Sequence, residues 1–287
     1  MAQERNNRTR NLAIAGLLGL IAVGFLVWWF MFRDTSAASV DSVAAAEARE
    51  EAIAEAAASS GGDDSGDTTA PAADDDGSSS AVDSGQADSA TSAGSPIEGL
   101  WAIDSSIGTF DEACLDVACS AGFVGFRINE ELVGFGAKTV VGRTPNVTGT
   151  MQVTGTQITS VDITADMTAI ETDDSGRTSA LKSAAGGLET NTFPEATFVL
   201  TEPIELGSLP VEGAAIEVNA VGDLTVHGVT NQVTIPLTAE LQAGLVVVFG
   251  SLVDMQLADY DIPKPTSVVV LSVEEIATME LQLFFSR

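Results

Sequence analysis

The chain has few of the side chains that enzymes use for acid–base or nucleophilic chemistry. It contains one histidine, His227, and two cysteines, Cys114 and Cys119. It has no nucleophile-elbow motif, so hydrolase chemistry has little support. We interpret His227, which precedes Gly228, as a turn residue that fixes a hairpin through hydrogen bonds rather than as a general base. We therefore expect no catalytic residues and no enzyme activity.

Positive charge is also scarce. There are 12 Lys and Arg residues against 41 Asp and Glu residues, which gives a formal net charge of −29. A surface this acidic repels phosphates, so it speaks against binding to nucleic acid or to an anionic lipid surface.

Only one long run of residues lacks charge. Residues 12–32 hold 21 uncharged residues and end in Val-Trp-Trp-Phe-Met-Phe. This is the length of a transmembrane helix, and the tryptophans suit the headgroup boundary. Three arginines precede the run and one follows it, so residues 1–11 are predicted to be a cytoplasmic tail and the remainder to lie outside a single-pass cell-membrane anchor. A cleavable signal peptide is the alternative.

Cys114 and Cys119 form a C-x4-C pair on the predicted outer side. An oxidising compartment favours a disulfide between them, and two free thiols are the alternative. A metal site would need two further nitrogen or sulfur ligands, and the only histidine is distant in sequence, so no metal is expected.

Residues 33–96 are predicted to be an acidic linker rich in Ala, Ser, Gly and Asp. Residues 40–58 are rich in Ala and Glu and have helix-like spacing, so a fraying helix is expected there. Residues 59–96 contain no aromatic residue and cannot bury enough apolar surface to offset chain entropy, so disorder is expected.

The folded domain is predicted to span 97–287, and its most informative stretch is 216–240. Here apolar residues occupy every second position on both sides of the His227-Gly228 turn: Ile216, Val218, Ala220, Leu224, Val226, Val233, Ile235 and Leu237. A period of two indicates antiparallel strands with one packed face and one wet face.

Similar patterns recur through the domain, and Gly-containing turns separate them. Residues 178–188 break the pattern and are predicted to form one short helix. About eight strands with even alternation favour a closed antiparallel barrel, which has no edge strands, and a two-sheet sandwich is the alternative. An eight-stranded barrel is either filled by side chains or holds one small ligand.

Four motifs occur in an order that resembles the YceI-like family. The most specific is Gly-Asp-Leu-Thr-Val-His-Gly-Val-Thr at 222–230, followed by the strand at 233–237. Trp-Ala-Ile-Asp at 101–104 resembles the opening strand of that family. The segment from Thr172 to Lys182 resembles its central turn and helix, and Phe-Pro-Glu-Ala-Thr-Phe at 193–198 resembles its Pro-x-x-x-Phe strand.

The resemblance implies a lipocalin-like eight-stranded barrel with an apolar tunnel that binds an isoprenoid chain, such as a quinone or a polyprenyl lipid. The expected function is thus a membrane-anchored, extracytoplasmic or periplasmic carrier that needs no cofactor other than its bound lipid. The chain departs from the family in its anchor, its linker, the Cys114–Cys119 insertion and Thr178, which replaces an acid.

We predict seven residues for the tunnel wall: Phe123, Phe126, Phe198, Leu224, Val226, Phe249 and Leu283. Arg177 and Lys182 are candidates for contact with a polar head group. The alternative function is a structural or interaction module at the cell surface, with a filled barrel, no ligand and a stable oligomer such as a homodimer.

Overall fold

The computed structural model describes residues 37–60, 97–134, 136–265 and 270–287. The strands are β1 Gly99–Ile103, β2 Phe123–Leu132, β3 Gly136–Thr144, β4 Val147–Thr154, β5 Gln157–Asp166, β6 Glu171–Thr172, β7 Glu195–Leu200, β8 Ile204–Glu205, β9 Ala215–Val226, β10 Val229–Gln242, β11 Leu245–Gln256, β12 Val270–Val273 and β13 Ile276–Ser286. The α-helices are α1 Val43–Ser60, α2 Ala113–Asp116 and α3 Ser175–Ala180, and short 3-10 helices span Met167–Ala169, Ala184–Gly186 and Leu257–Tyr260.

Eight of these strands form a closed antiparallel barrel. Their order is β1-β4-β5-β7-β9-β10-β11-β13, and pairing of Ala102 with Ser286 joins β1 to β13 and closes the ring. The prediction of an eight-stranded antiparallel barrel is confirmed, and the two-sheet sandwich is wrong. Closure leaves no unpaired edge within the ring.

The wall extends beyond the ring at one end. There β13 pairs with β2, β2 pairs with β3, and the short β6 pairs with β3. Two segments, 173–193 and 257–265, lie at this end, where β9 turns into β10, and we call it the capped end. Helix α3 and two of the 3-10 helices belong to these segments.

The helix predicted at 178–188 is shorter and begins earlier. The Asp174 side chain accepts a hydrogen bond from the backbone N–H of Arg177 at 2.8 Å, and this N-cap starts α3. The α-helix ends at Ala180, and Gly187 has a φ of +92°, a conformation that interrupts a right-handed helix.

Residues 37–60, which we call the strap, pack on the outside of the barrel. The backbone N–H of Ala37 donates to Leu115 O at 3.2 Å, and Arg49 is 7% exposed. Ile53 of α1 is buried in a cluster that contains Val247 and Phe284 of the outer wall. The strap therefore packs as part of the folded unit, although it lies within the segment 33–96 that the sequence predicted to be a linker.

The predicted tail at 1–11, the predicted transmembrane helix at 12–32 and the linker residues 61–96 lie outside the described residues. Among the described helices, none is both long and apolar enough to cross a bilayer. The structure joins Cys114 to Cys119 by a disulfide, in a loop against the outer face of the barrel.

Candidate functional site

The barrel is hollow. Its interior holds a cavity of about 670 Å³, far more than the gaps left in a close-packed core. The wall is almost wholly aliphatic and aromatic, because every second residue of each strand points inward. On β9 these residues are Val218, Ala220, Leu224 and Val226, and on β13 they are Ala277, Met279, Leu281, Leu283 and Phe285.

The structure places five of the seven predicted wall residues on the cavity: Phe126, Phe198, Leu224, Val226 and Leu283. Phe198, Leu224 and Leu283 are each less than 10% exposed. The five residues come from β2, β7, β9 and β13, so several sides of the barrel contribute to one apolar surface.

Phe123 and Phe249 lie on the outer face instead, which corrects their assignment to the wall. Phe123 is three residues from Phe126 on β2, and an odd separation puts two strand residues on opposite faces. Phe249 follows Val248, which does line the cavity. Both rings stack beneath arginines: Arg143 lies 4.2 Å from the Phe123 ring centroid, and Arg49 of the strap lies 3.7 Å from that of Phe249.

Polar groups reach the cavity at its capped end. Glu130 of β2, Lys138 of β3, Asp173 and Arg177 all line it there, and we call these four the charged cluster. Arg177 donates to Glu130 at 2.5 Å and to Asp173 at 2.6 Å, and Lys138 pairs with the other oxygen of Asp173. Two cations and two carboxylates meet, so the four groups together carry no formal charge.

Lys182, the other head-group candidate, is exposed and does not line the cavity. Sequence reasoning missed Glu130 and Lys138. A signal was present for Glu130, because it has the same inward parity as Phe126 on β2, and a charged residue at an inward position marks a polar part of a cavity. Lys138 gave no such signal, because its strand β3 was not recognised from the sequence.

His227 fastens the capped end from outside the cavity. Its ring is 8% exposed, with Nδ1 3.2 Å from the Tyr260 carbonyl oxygen and Nε2 3.0 Å from Glu189 Oε2. The Phe193 ring lies 4.1 Å away, centroid to centroid. The histidine lies at the hairpin turn, as predicted, and its hydrogen bonds connect the hairpin to both cap segments.

Candidate metal ligands do not assemble in the described part of the chain. No group of three or more His, Cys, Asp or Glu residues there could hold an ion. The barrel interior, in contrast, is large enough for a small ligand and has an apolar wall, so we take it as the candidate site.

Solved structures that match this chain include proteins from three organisms. A polyisoprenoid-binding domain from Saccharophagus degradans, implicated in plant cell wall breakdown, is 16% identical, with 66% of this chain and 98% of that chain covered and a TM-score of 0.47. BcnA of Burkholderia cenocepacia is also 16% identical, with 61% and 99% covered and a TM-score of 0.44. The Campylobacter jejuni YceI protein is 14% identical, with 50% and 82% covered and a TM-score of 0.41.

No curated protein matches the chain. A family model does: the YceI-like domain matches residues 115–284, more than half of the sequence and nearly all of the barrel. The chain belongs to the family of proteins with a YceI-like domain.

Proposed function

We propose that the barrel binds one long apolar lipid, an isoprenoid chain such as that of a quinone or a polyprenyl alcohol, and carries it outside the membrane. The observation that supports this most directly is the hollow interior of about 670 Å³ with an apolar wall. A filled barrel would serve a structural module, and a cavity this large is costly to keep unless something occupies it.

Enclosure itself supplies the binding energy. Each CH2 group moved from water into an apolar site stabilises the complex by about 0.8 kcal/mol. A few prenyl units therefore suffice for tight binding without a charged contact.

The charged cluster favours a neutral head group. Arg177 and Lys138 are already paired with Glu130 and Asp173. A phosphate at this end would have to displace a carboxylate from a cation, which leaves that carboxylate unpaired in a partly buried place. A hydroxyl or a ring carbonyl needs only one hydrogen bond and leaves the ion pairs intact.

The proposed place of action rests on the sequence outside the described residues. With residues 12–32 as a single membrane span, the barrel would stand outside the cell membrane. Because the strap packs on the barrel from residue 37 onward, only residues 33–36 would separate the span from the folded unit, which would hold the barrel close to the membrane surface. There it would take up its lipid and release it.

The test is native mass spectrometry of the full-length chain from a native-type host, followed by solvent extraction. We expect one adduct per chain that extracts as a long-chain isoprenoid. A bare chain that also stays bare after incubation with quinones and polyprenols would contradict the proposal. Loading the chain with a prenol or with the prenyl phosphate of equal length tests the head group, and we expect the prenol to be retained more.

A further inference from the structure

Two glycines of the barrel wall face phenylalanine rings. Gly142 of β3 pairs directly with Phe126 of β2, and a Cβ atom added to Gly142 would lie 2.4 Å from Cε1 and 2.7 Å from Cζ of that ring. A Cβ atom on Gly222 of β9 would lie 2.4 Å from Cζ of Phe198. In each case the ring occupies the space where the side chain of any other residue would begin.

Neither glycine is needed for its backbone conformation. Gly142 and Gly222 both lie within regular strands and neither has a positive φ, so the backbone there accepts any L-residue. What requires glycine at these positions is the ring. Because of the glycine, each ring lies against the backbone of the wall instead of standing in the lumen.

We propose that these two pairs, Gly142–Phe126 and Gly222–Phe198, set the bore of the cavity and so the length of lipid chain that it encloses. The inference rests on the proposed function, since it assigns a length limit to that same cavity. It makes Phe126 and Phe198 specificity-determining residues, with the glycines as their positioning residues.

The volume of the cavity sets an upper limit on the length of the lipid chain that it can enclose. A cavity of roughly 150 Å³ holds a benzene molecule, which has six carbons. At that density the 670 Å³ of this cavity hold about 27 carbons, or five to six isoprene units. We expect affinity to rise with chain length up to this point and then to level off, because further units remain outside.

Gly142→Ala is the most specific variant for testing this limit on chain length. The three atoms nearest to its added Cβ all belong to the Phe126 ring, and a ring can turn away. Gly222 is less suitable because the Val199 carbonyl oxygen is also only 2.5 Å from its added Cβ, so a substitution there would disturb strand pairing. A Phe126 ring pushed into the lumen removes about one benzene of volume, so the limit should fall by about one isoprene unit.

Two further variants make the test specific. Gly142→Ala with Phe126→Ala removes the conflicting ring and should restore or lengthen the limit. Gly122→Ala is the control glycine, since its added Cβ meets atoms of other residues only at ordinary distances of 3.5 and 3.7 Å, outside the cavity.

The experiment offers an equimolar mixture of all-trans prenols of three to eight units to the delipidated full-length chain. Native mass spectra, sprayed from micelles that are lost in the gas phase, give the distribution of retained lengths. A distribution that shortens in Gly142→Ala, and returns in the double variant, supports the inference. Prenol adducts whose length is the same in all variants overturn it and leave the proposed function standing, whereas no adduct on any variant overturns both.

Discussion

Arg143 donates a hydrogen bond to Glu280 at 3.0 Å, and both side chains are only 1% exposed. The pair lies on the outer face of the barrel, beneath the strap. Arg143 also donates to the carbonyl oxygens of Cys114 and of Ala38 in the strap, and Arg127 Nε lies 3.7 Å from Glu280. Burial lowers the pKa of Arg143, and the carboxylate of Glu280 opposes that shift. One buried ion pair thus joins the barrel, the disulfide loop and the strap.

We predict that Glu280→Ala lowers the free energy of unfolding by about 3–5 kcal/mol, because it leaves a buried guanidinium without its carboxylate. Urea denaturation of the full-length chain measures this. Glu275→Ala is the matched control: that side chain is 71% exposed and pairs with Lys264 in solvent, so stability should not change within error. Equal behaviour of the two variants would contradict a structural role for the buried pair.

The strap should depend on the apolar contacts of α1. Ile53 is 4% exposed and lies in one cluster with Leu245 and Phe284. Truncation to Ala removes buried methyl groups and leaves a cavity, so Ile53→Ala should weaken docking by about 2–4 kcal/mol.

Hydrogen exchange at the α1 amides measures the docking, and we expect much faster exchange there while the barrel amides stay protected. Glu51→Ala, on the exposed side of the same helix, is the control. Uniformly faster exchange in strap and barrel would mean that the two unfold as one unit.

The sequence predicted the barrel well because most of its strands have one face in the interior and one face exposed to solvent, which produces an alternating pattern. Alternation at 216–240 placed Leu224 and Val226 correctly on the inner face. The same rule would have rejected Phe123 as a partner of Phe126, since residues three apart cannot share a strand face. That error came from grouping aromatics by type instead of by parity.

The parts that the sequence did not predict lie where alternation fails. Strand β3 was missed because its second half is buried on both faces, so its pattern does not alternate. Docking of the strap was missed because an Ala- and Glu-rich helix has only a weak apolar face, and its partners, such as Phe284, are far away in sequence. The charged cluster depends on contacts between Arg177 and Glu130, 47 residues apart, which no local pattern reveals.

His227 should control how firmly the capped end is closed. Its φ of +53° suits Asn, so His227→Asn removes the long reach to Glu189 and Tyr260 with little backbone strain. Loss of the two hydrogen bonds should cost about 1–3 kcal/mol. We expect faster hydrogen exchange in 181–193 and 257–262 and faster release of a bound prenol. Unchanged exchange in both segments would show that the histidine does not hold the cap.

Acid should weaken the capped end near Asp166. A hydrogen bond from the Thr168 hydroxyl, at 2.6 Å, and one from its backbone N–H lower the pKa of Asp166. The pKa is lower in the folded than in the unfolded state, so this contribution to stability is present above the ordinary Asp value of about 3.9 and is lost as the pH falls through the folded value.

Thr168→Val removes the hydroxyl donor and should therefore lower the melting temperature more at pH 7 than at pH 2, because the hydrogen bond to the charged carboxylate is lost as the pH falls through the folded pKa of Asp166. Thr159→Val is the control, because its hydroxyl donates only to a carbonyl oxygen, that of Gln152. An equal loss at both pH values would assign the effect to packing rather than to the charge of Asp166.

A charge in the wall of the cavity should abolish lipid binding while the barrel persists. Leu224 points into the cavity and is 4% exposed, whereas its neighbour Thr225 points outward and bonds to Thr230 across the hairpin. A carboxylate at 224 faces an apolar chain and must either draw water into the cavity or take up a proton, and both oppose binding of the chain. We expect Leu224→Glu to lower the affinity for a prenol at least 100-fold and Thr225→Glu to leave that affinity unchanged. Native mass spectrometry of the full-length chain measures both. Far-ultraviolet circular dichroism confirms that the variant is folded. A folded Leu224→Glu chain that binds prenols as the wild type does would place the lipid site outside the barrel.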